Sequence, residues 1–197
     1  MRTIAVREDI RDLILDAADR LLSRYGYQKM TMDDLAREVG VAKGTIYLHF
    51  AGKEEVTLSV VDRIVERAKR ELEAISKSDR EPAARLRLML IARVMVRFDN
   101  VRHYTENLGD LLAALRPALL ARRARHFEEE ARIFAVVLRE GQRAGVFVRR
   151  DVSATAHALV LATNSLLPFN LSTRELGERE DVERQAARIG DLFIDGL

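Results

Sequence analysis

The sequence predicts an all-α protein. Glycine and proline are scarce, ten and three in 197 residues. The prolines, Pro82, Pro117 and Pro168, are spaced like punctuation between helices. Ala, Leu, Arg and Glu, all strong helix formers, dominate the chain. Apolar residues recur at three- and four-residue intervals over most of its length. With 48% hydrophobic residues the chain can bury a core, and its length suits one large domain or a small domain joined to a larger one.

The first helix is predicted over about Arg7–Tyr25, where Ile10, Leu13, Ile14, Ala17, Ala18, Leu21 and Leu22 form one apolar stripe. Gly26 is a natural stop. Thr31 caps a second helix, and Asp34 can reach back to it as a capping box. Gly40 turns the chain into a third, short helix over Lys43–Phe50. Gly52 and Lys53 open a long fourth helix to about Ser76, with Glu54 and Glu55 suited to its positive end. SKSDREP reads as a linker. A fifth helix over Pro82–Asp99 is apolar on most of its circumference and is expected to be central. A shorter helix is predicted over Val101–Leu115. Pro117 starts a long one to Gly141, Ser153–Leu167 forms another, and Glu178–Ile194 is the last.

Several function classes fall away. The absence of cysteine excludes a disulfide framework, a thiolate zinc site and a cysteine nucleophile. The amino terminus lacks the apolar run of a signal peptide. No apolar stretch approaches the roughly 20 residues of a membrane span. A cytoplasmic protein that engages no membrane is expected. There are no paired Glu-x-x-His ligands, nucleophile elbow, phosphate-cradling glycine loop or dinucleotide fingerprint. The protein is therefore expected not to be an enzyme, and to need no cofactor and no metal. The net charge of +2 is nearly neutral. Val41–Lys53, however, holds two lysines and a histidine and no acid, a small basic face within an otherwise balanced chain.

That face lies in TMDDLAREVGVAKGTIYLHFAGK, Thr31–Lys53: a short helix, a glycine-marked turn, a second short helix and a closing lysine. So compact a pair suits a protein that presents one helix to a DNA groove. Val41 and Ile46 would anchor the third helix, leaving Lys43, Gly44, Thr45, Tyr47 and His49 pointing away from the core. Lysine can read guanine edges, threonine can meet a base edge or a thymine methyl, and Gly44 permits close approach.

Ile14–Leu58 resembles the TetR family of one-component bacterial transcription regulators. The resemblance rests on AREVGVAKGTIY, the aromatic–x–His–aromatic run Tyr47–Phe50, and Lys53 three residues beyond. It implies base-reading roles for Lys43, Gly44 and Thr45, and phosphate contacts for Tyr47, His49, Lys53 and Thr31. LREGQRAGVFVRRDVSATAHALV looks like the stretch leading into the eighth helix of that family. One departure stands out: many members carry serine where this chain has Ala42, which can neither cap the third helix nor donate a side-chain hydrogen bond to phosphate.

Plainer readings stand beside these. Tyr47 could be core, although Phe50, Ile46 and Val41 already supply an apolar face. Lys43 and Lys53 could be solvated, His49 could be packed, and Thr31 is a cap whatever else it does. His126 and Glu130 share the i, i+4 spacing of a metal pair but are expected to be solvated. Arg93 and Arg97 share one face of the fifth helix. They are expected to mark its solvent stripe, and would suit an acidic ligand if they pointed inward. Met95, Phe98, His103, Tyr104, Asn107, Phe134 and Asn164 are the candidate ligand contacts.

These readings combine into a helix-turn-helix DNA-binding domain at 1–53 and a larger ligand-binding and dimerisation domain at 54–197. The expected partners are a double-stranded DNA operator, a small apolar or amphipathic effector, and a second copy of the chain. One short helix reads only a few base pairs, so two copies must combine. The last two helices are the expected homodimer interface, through Ala154, Ala156, Ala158, Leu159, Ala162 and Leu166 with Ala186, Ala187, Ile189, Leu192 and Phe193. Effector binding would swing the fourth helix and change the distance between the two reading helices. The alternative is a DNA-binding regulator with no small-molecule effector, controlled by a protein partner.

Overall fold

The computed structural model describes every residue except Met1, His103, Thr105–Asn107, Phe169–Ser172 and Leu197, and omits the side chains of residues 2–9, Leu108, Asp110, Thr173 and Arg174. Among the described residues the secondary structure is helical, without strands. The elements are α1 (Arg2–Lys29), α2 (Met32–Val39), α3 (Lys43–Tyr47), α4 (Lys53–Ser76), α5 (Pro82–Val101), α6 (Leu108–Arg143), α7 (Val152–Ala162), a 3₁₀ turn at Thr163–Leu166, α8 (Thr173–Leu176) and α9 (Arg179–Asp195). The expected all-α class, with an amino-terminal helix-turn-helix, is the observed one.

The chain forms two compact units, one of residues 1–63 with 103–119, the other of residues 64–102 with 120–197. In the first, Ile14, Ala17, Ala18, Leu21 and Leu22 of α1, Leu35 and Ala36 of α2 and Ile46 of α3 are all buried, and α2 packs against both α1 and α3. The predicted stripe needs one correction. Leu13 is exposed and Leu15 is buried in its stead, because seven apolar positions span a wider arc than the core face accepts. The helix also begins at Arg2 rather than Arg7, and runs on to Lys29 across Gly26, whose φ of 75° interrupts the helical geometry there.

In the second unit α5 is central. Leu86, Met89 and Leu90 pack with Leu72 of α4, with Phe134, Val137 and Leu138 of α6, and with Leu159 and Val160 of α7. Val94, Met95 and Phe98 form a second cluster with Leu166, Leu167, Val182 and Ala186. A Cβ added at Gly141 would lie 2.2 Å from the ring of Phe147, so the glycine seats that ring against α6.

Three expectations are overturned. The break at Pro117 does not occur, and α6 runs through it. The proline removes one backbone hydrogen bond, but Leu111 and Leu115 in the turns just before it are buried and hold the helix on that side. Arg93 and Arg97 do not face solvent: they are 0% and 4% exposed, and Glu130, expected to be solvated, is 0% exposed. The three meet as a buried cluster. His126 is buried too, with Nδ1 3.7 Å from Glu129 rather than paired with Glu130.

Candidate nucleic-acid interface

The turn from α2 to α3 is built by local chemistry. The Asp34 amide donates to Thr31 Oγ1 (3.1 Å) and the Thr31 amide donates to Asp34 Oδ2 (3.2 Å), completing the capping box. The Thr31 hydroxyl, with Arg37 beyond it, holds the Asp34 carboxyl below its usual range. Gly40 ends α2 in the left-handed region (φ 77°, ψ 32°), and its amide donates to the Ala36 carbonyl. Ala42 enters α3 with extended geometry and no side-chain cap. The first turn of α3 therefore lacks the partner a serine would supply.

Only Ile46 of α3 is buried, and Phe50 just beyond it is buried beneath the Arg11 guanidinium, 4.4 Å from its ring centre. These two anchors leave the opposite face free. Tyr47 is 49% exposed and Leu48 77% exposed. A Cβ at Gly44 would have nothing within 4 Å. Lys43 and Gly44 are exposed, Thr45 and His49 half-buried. Lys43 Nζ bonds Asp33 Oδ2 at 2.8 Å, which raises the lysine pKa. Lys53 is more constrained. Its Nζ donates to the carbonyls of Tyr27 (3.0 Å) and Gln28 (3.3 Å) and lies 4.5 Å from the Tyr27 ring centre. It serves as a cationic stop to α1. The loop into α4 is fixed by Glu55 Oε2, which accepts from the Ala51 amide at 2.6 Å.

The predicted DNA-facing residues thus lie together on α3 and its flanks, with Thr31 at the head of α2. Leu48, the most exposed large apolar side chain among the described residues, was missed. Its signal lay in the sequence, because it sits outside the apolar period set by Val41, Ile46 and Phe50.

Residues 14–60 match the family described as bacterial regulatory proteins, tetR family. The helix-turn-helix segment of the chain is thus similar to the amino-terminal domain of that family. Over 61 residues it is 38% identical to the HTH-type transcriptional regulator EthR of Mycolicibacterium smegmatis, covering 31% of this chain and 28% of EthR. Over 60 residues it is 40% identical to the HTH-type transcriptional regulator SrpR of Pseudomonas putida, covering 30% of this chain and 28% of SrpR. The chain spans less than a third of the length of these relatives. Likeness to solved structures runs further. A transcriptional regulator from Cytophaga hutchinsonii superposes with a TM-score of 0.75 at 21% identity, over 94% of this chain and 96% of that one. The TetR-family regulator PfmR of Thermus thermophilus gives 0.58 at 25% identity, over 93% and 98%. The TetR fold therefore extends through the second unit, where sequence likeness is weak.

The described candidate effector contacts are distributed over both units. Met95 and Phe98 share one cluster and Phe134 lies in the other. Tyr104 belongs to the first unit, where its buried hydroxyl bonds Asp19. Burial, and then the Asp19 charge, push that phenol above its usual range. Asn164 falls in the 3₁₀ turn, and its buried Oδ1 has no partner among the described residues. His103 and Asn107 lie outside the described residues. Glu66, His126 and Glu129 offer ligand atoms within 4.8 Å of one another, but the Lys69 ammonium bonds both glutamates and already supplies the positive charge there. No helix among the described residues is long and apolar enough to cross a membrane.

Proposed function

We propose that this chain is a DNA-binding transcriptional regulator, a repressor that binds a palindromic operator as a homodimer and is released by a small apolar or amphipathic molecule. Residues 1–53 would read DNA, and residues 54–197 would hold the effector and the second copy. The observation that carries the reading is α3: two buried anchors support a face on which Lys43, Gly44 and Tyr47 are exposed and Gly44 has open space above it. Such a helix fits the major groove.

For the dimer, part of the expected interface is already used within the chain. Ala156, Leu159, Leu166 and Ala186 are buried. Ala154, Ala158 and Leu192 remain and line one groove with Phe193. The exposed Leu161 extends the apolar surface of α7.

The test is selection of bound fragments from genomic DNA by the purified protein. The expected result is a palindrome whose half-sites are one helical turn or more apart, with affinity lost in the combined K43A, T45A and Y47F variant. Undiminished specific binding by that variant would overturn the assignment of the reading helix. A second reading, a regulator governed by a partner protein without a small-molecule effector, draws on the close packing of Met95, Phe98 and Phe134. A protein that never releases operator in the presence of small molecules would favour it.

A further inference from the structure

The buried cluster in the second unit is not electrically balanced. Arg93 Nε donates to Glu130 Oε2 (2.8 Å) and Nη1 to Thr163 Oγ1 (2.7 Å). Arg97 Nη1 donates to the Arg93 carbonyl at 2.7 Å and Nη2 to Glu130 Oε1. Glu130 therefore has each oxygen engaged by a different guanidinium. Two N–H sites remain without a partner among the described residues, Arg93 Nη2 and Arg97 Nε, both sealed from water. The Thr163 hydroxyl lies 3.2 Å from the Leu159 carbonyl, which takes its proton. Arginine stays protonated in proteins, and burial pulls Arg93 down only to about 10. At neutral pH two cations thus share one anion in the interior. The Arg123 guanidinium, 4.6 Å from the centre of the Phe127 ring that also meets Arg93 at 5.1 Å, adds more positive field.

An uncompensated buried charge is strongly unfavourable, and unpaired buried donors add to the penalty. The missing element is one negative charge with two acceptor oxygens, the chemistry of a carboxylate facing arginine forks. Its surroundings are apolar: Phe127 lies against Arg93, and Val94, Met95 and Phe98 are neighbours on α5.

We propose that Arg93 and Arg97 are the receptor for the head group of an amphipathic monocarboxylate, one per chain, whose apolar body displaces side chains beside α5. This rests on the effector reading above and specifies its ligand as an organic acid. It accounts for a second arginine where Glu130 needs only one, since a single bound monoanion brings the cluster to neutrality.

The test is calorimetric titration of the full-length protein with octanoate, octanamide and octan-1-ol. Octanoate is expected to bind once per chain, and about tenfold or more tighter than either neutral probe. R97M removes the surplus charge. It should abolish the preference for octanoate over octanamide while the melting temperature holds or rises, because the remaining Arg93–Glu130 pair is neutral. R97K keeps the charge without the fork and should retain part of the preference. Equal affinity for octanoate and octanamide, or no binding of octanoate to the unmodified protein, overturns the proposal, and neither outcome requires a variant to fold. Operator binding is followed separately by fluorescence anisotropy. Octanoate binding without DNA release leaves the anion site standing and removes the effector reading. Intact DNA binding with no carboxylate preference removes the anion site alone.

Discussion

Lys43 and Asp33 are joined by a 2.8 Å salt bridge between α3 and the first turn of α2. Both side chains are about half exposed, so the pair is weak in water, yet it binds the one cation of α3 to an acid. A base contact requires Lys43 to leave Asp33. D33N frees the lysine and also removes a charge that repels phosphate. Its expected effect is tighter binding to operator and non-operator DNA alike. K43A should cost about 1–3 kcal/mol on operator and relax base preference at the contacted position. Anisotropy titrations on matched operator and scrambled duplexes check both, and an unchanged operator preference in K43A would count against the base contact.

Gly44 separates folding from function. Nothing lies within 4 Å of where its Cβ would be, and alanine is the better helix former. G44A should therefore leave stability unchanged or raise it by about 0.5–1 kcal/mol. If α3 seats its backbone against the groove, the added methyl costs DNA affinity. Thermal melts and operator titrations on one preparation should move in opposite directions. Undiminished affinity would place the closest approach elsewhere on the helix.

Ala42 gives a complementary case. With extended geometry and no side-chain cap, it is the position where serine would accept from an amide of the first turn. A42S should stabilise the protein by about 0.5–2 kcal/mol in chemical denaturation. Its hydroxyl would also stand where a phosphate can meet it, so operator affinity should rise rather than fall.

The helix-turn-helix was legible because its determinants are local. Thr31 and Asp34 are three residues apart, Gly40 supplies its own turn, and Ile46 and Phe50 repeat at helical spacing. The buried cluster was not legible for the opposite reason. Arg93 and Glu130 are 37 residues apart, and an arginine on a helix reads as solvent-facing until its acid is known. Pro117 misled in the same way, since a proline marks a break only when packing does not hold the turns beside it. The role of Lys53 on the carbonyls of Tyr27 and Gln28 was hidden too, because a lysine after a DNA-reading helix reads first as a phosphate contact. The two roles are compatible, because the ammonium has three N–H donors and the two carbonyls take only two of them.

His157 carries a pH dependence. Its Nδ1 lies 2.8 Å from the Ser153 carbonyl and its Nε2 2.8 Å from Glu128 Oε2. Both partners only accept, so the pair of bonds needs both ring nitrogens protonated. The Ser153 carbonyl and then Glu128 accordingly raise the imidazole pKa, and His157 first, then Arg132, lowers that of Glu128. A raised folded-state value contributes stability that is complete below the unfolded pKa of about 6.5. That stability is lost as pH rises through the folded value. For Glu128 the sign reverses, and stability is lost as pH falls through its lowered value. The contribution is greatest between the two and small, because both groups are exposed and salt screens them. Melting curves of the unmodified protein and H157Q should converge above the imidazole range and separate in mildly acidic, low-salt buffer. A constant offset from pH 5 to 9 would show that the bonds do not depend on the charge.

Leu192 on α9 and Leu161 on α7 are 74% and 58% exposed, the most solvent-facing large apolar side chains among the described residues of the second unit. Leu192 lines a groove with Ala154, Ala158 and Phe193. Single exposed leucines are ordinary, whereas two on α7 and α9 beside such a groove mark a surface that a second copy would cover. Because neither side chain belongs to the core, L161E and L192E should change the folding stability of one chain by no more than about 0.5 kcal/mol. In a twofold interface each substitution acts twice, once from each copy, and the paired variant sets glutamates against the partner's apolar surface. Sedimentation equilibrium should show a dimer for the unmodified chain and a monomer for the double variant. Operator affinity should fall with it, since a lone α3 can occupy only one half-site. A dimer that survives both substitutions would move the interface away from α7 and α9, and with it the geometry by which two reading helices are spaced on DNA.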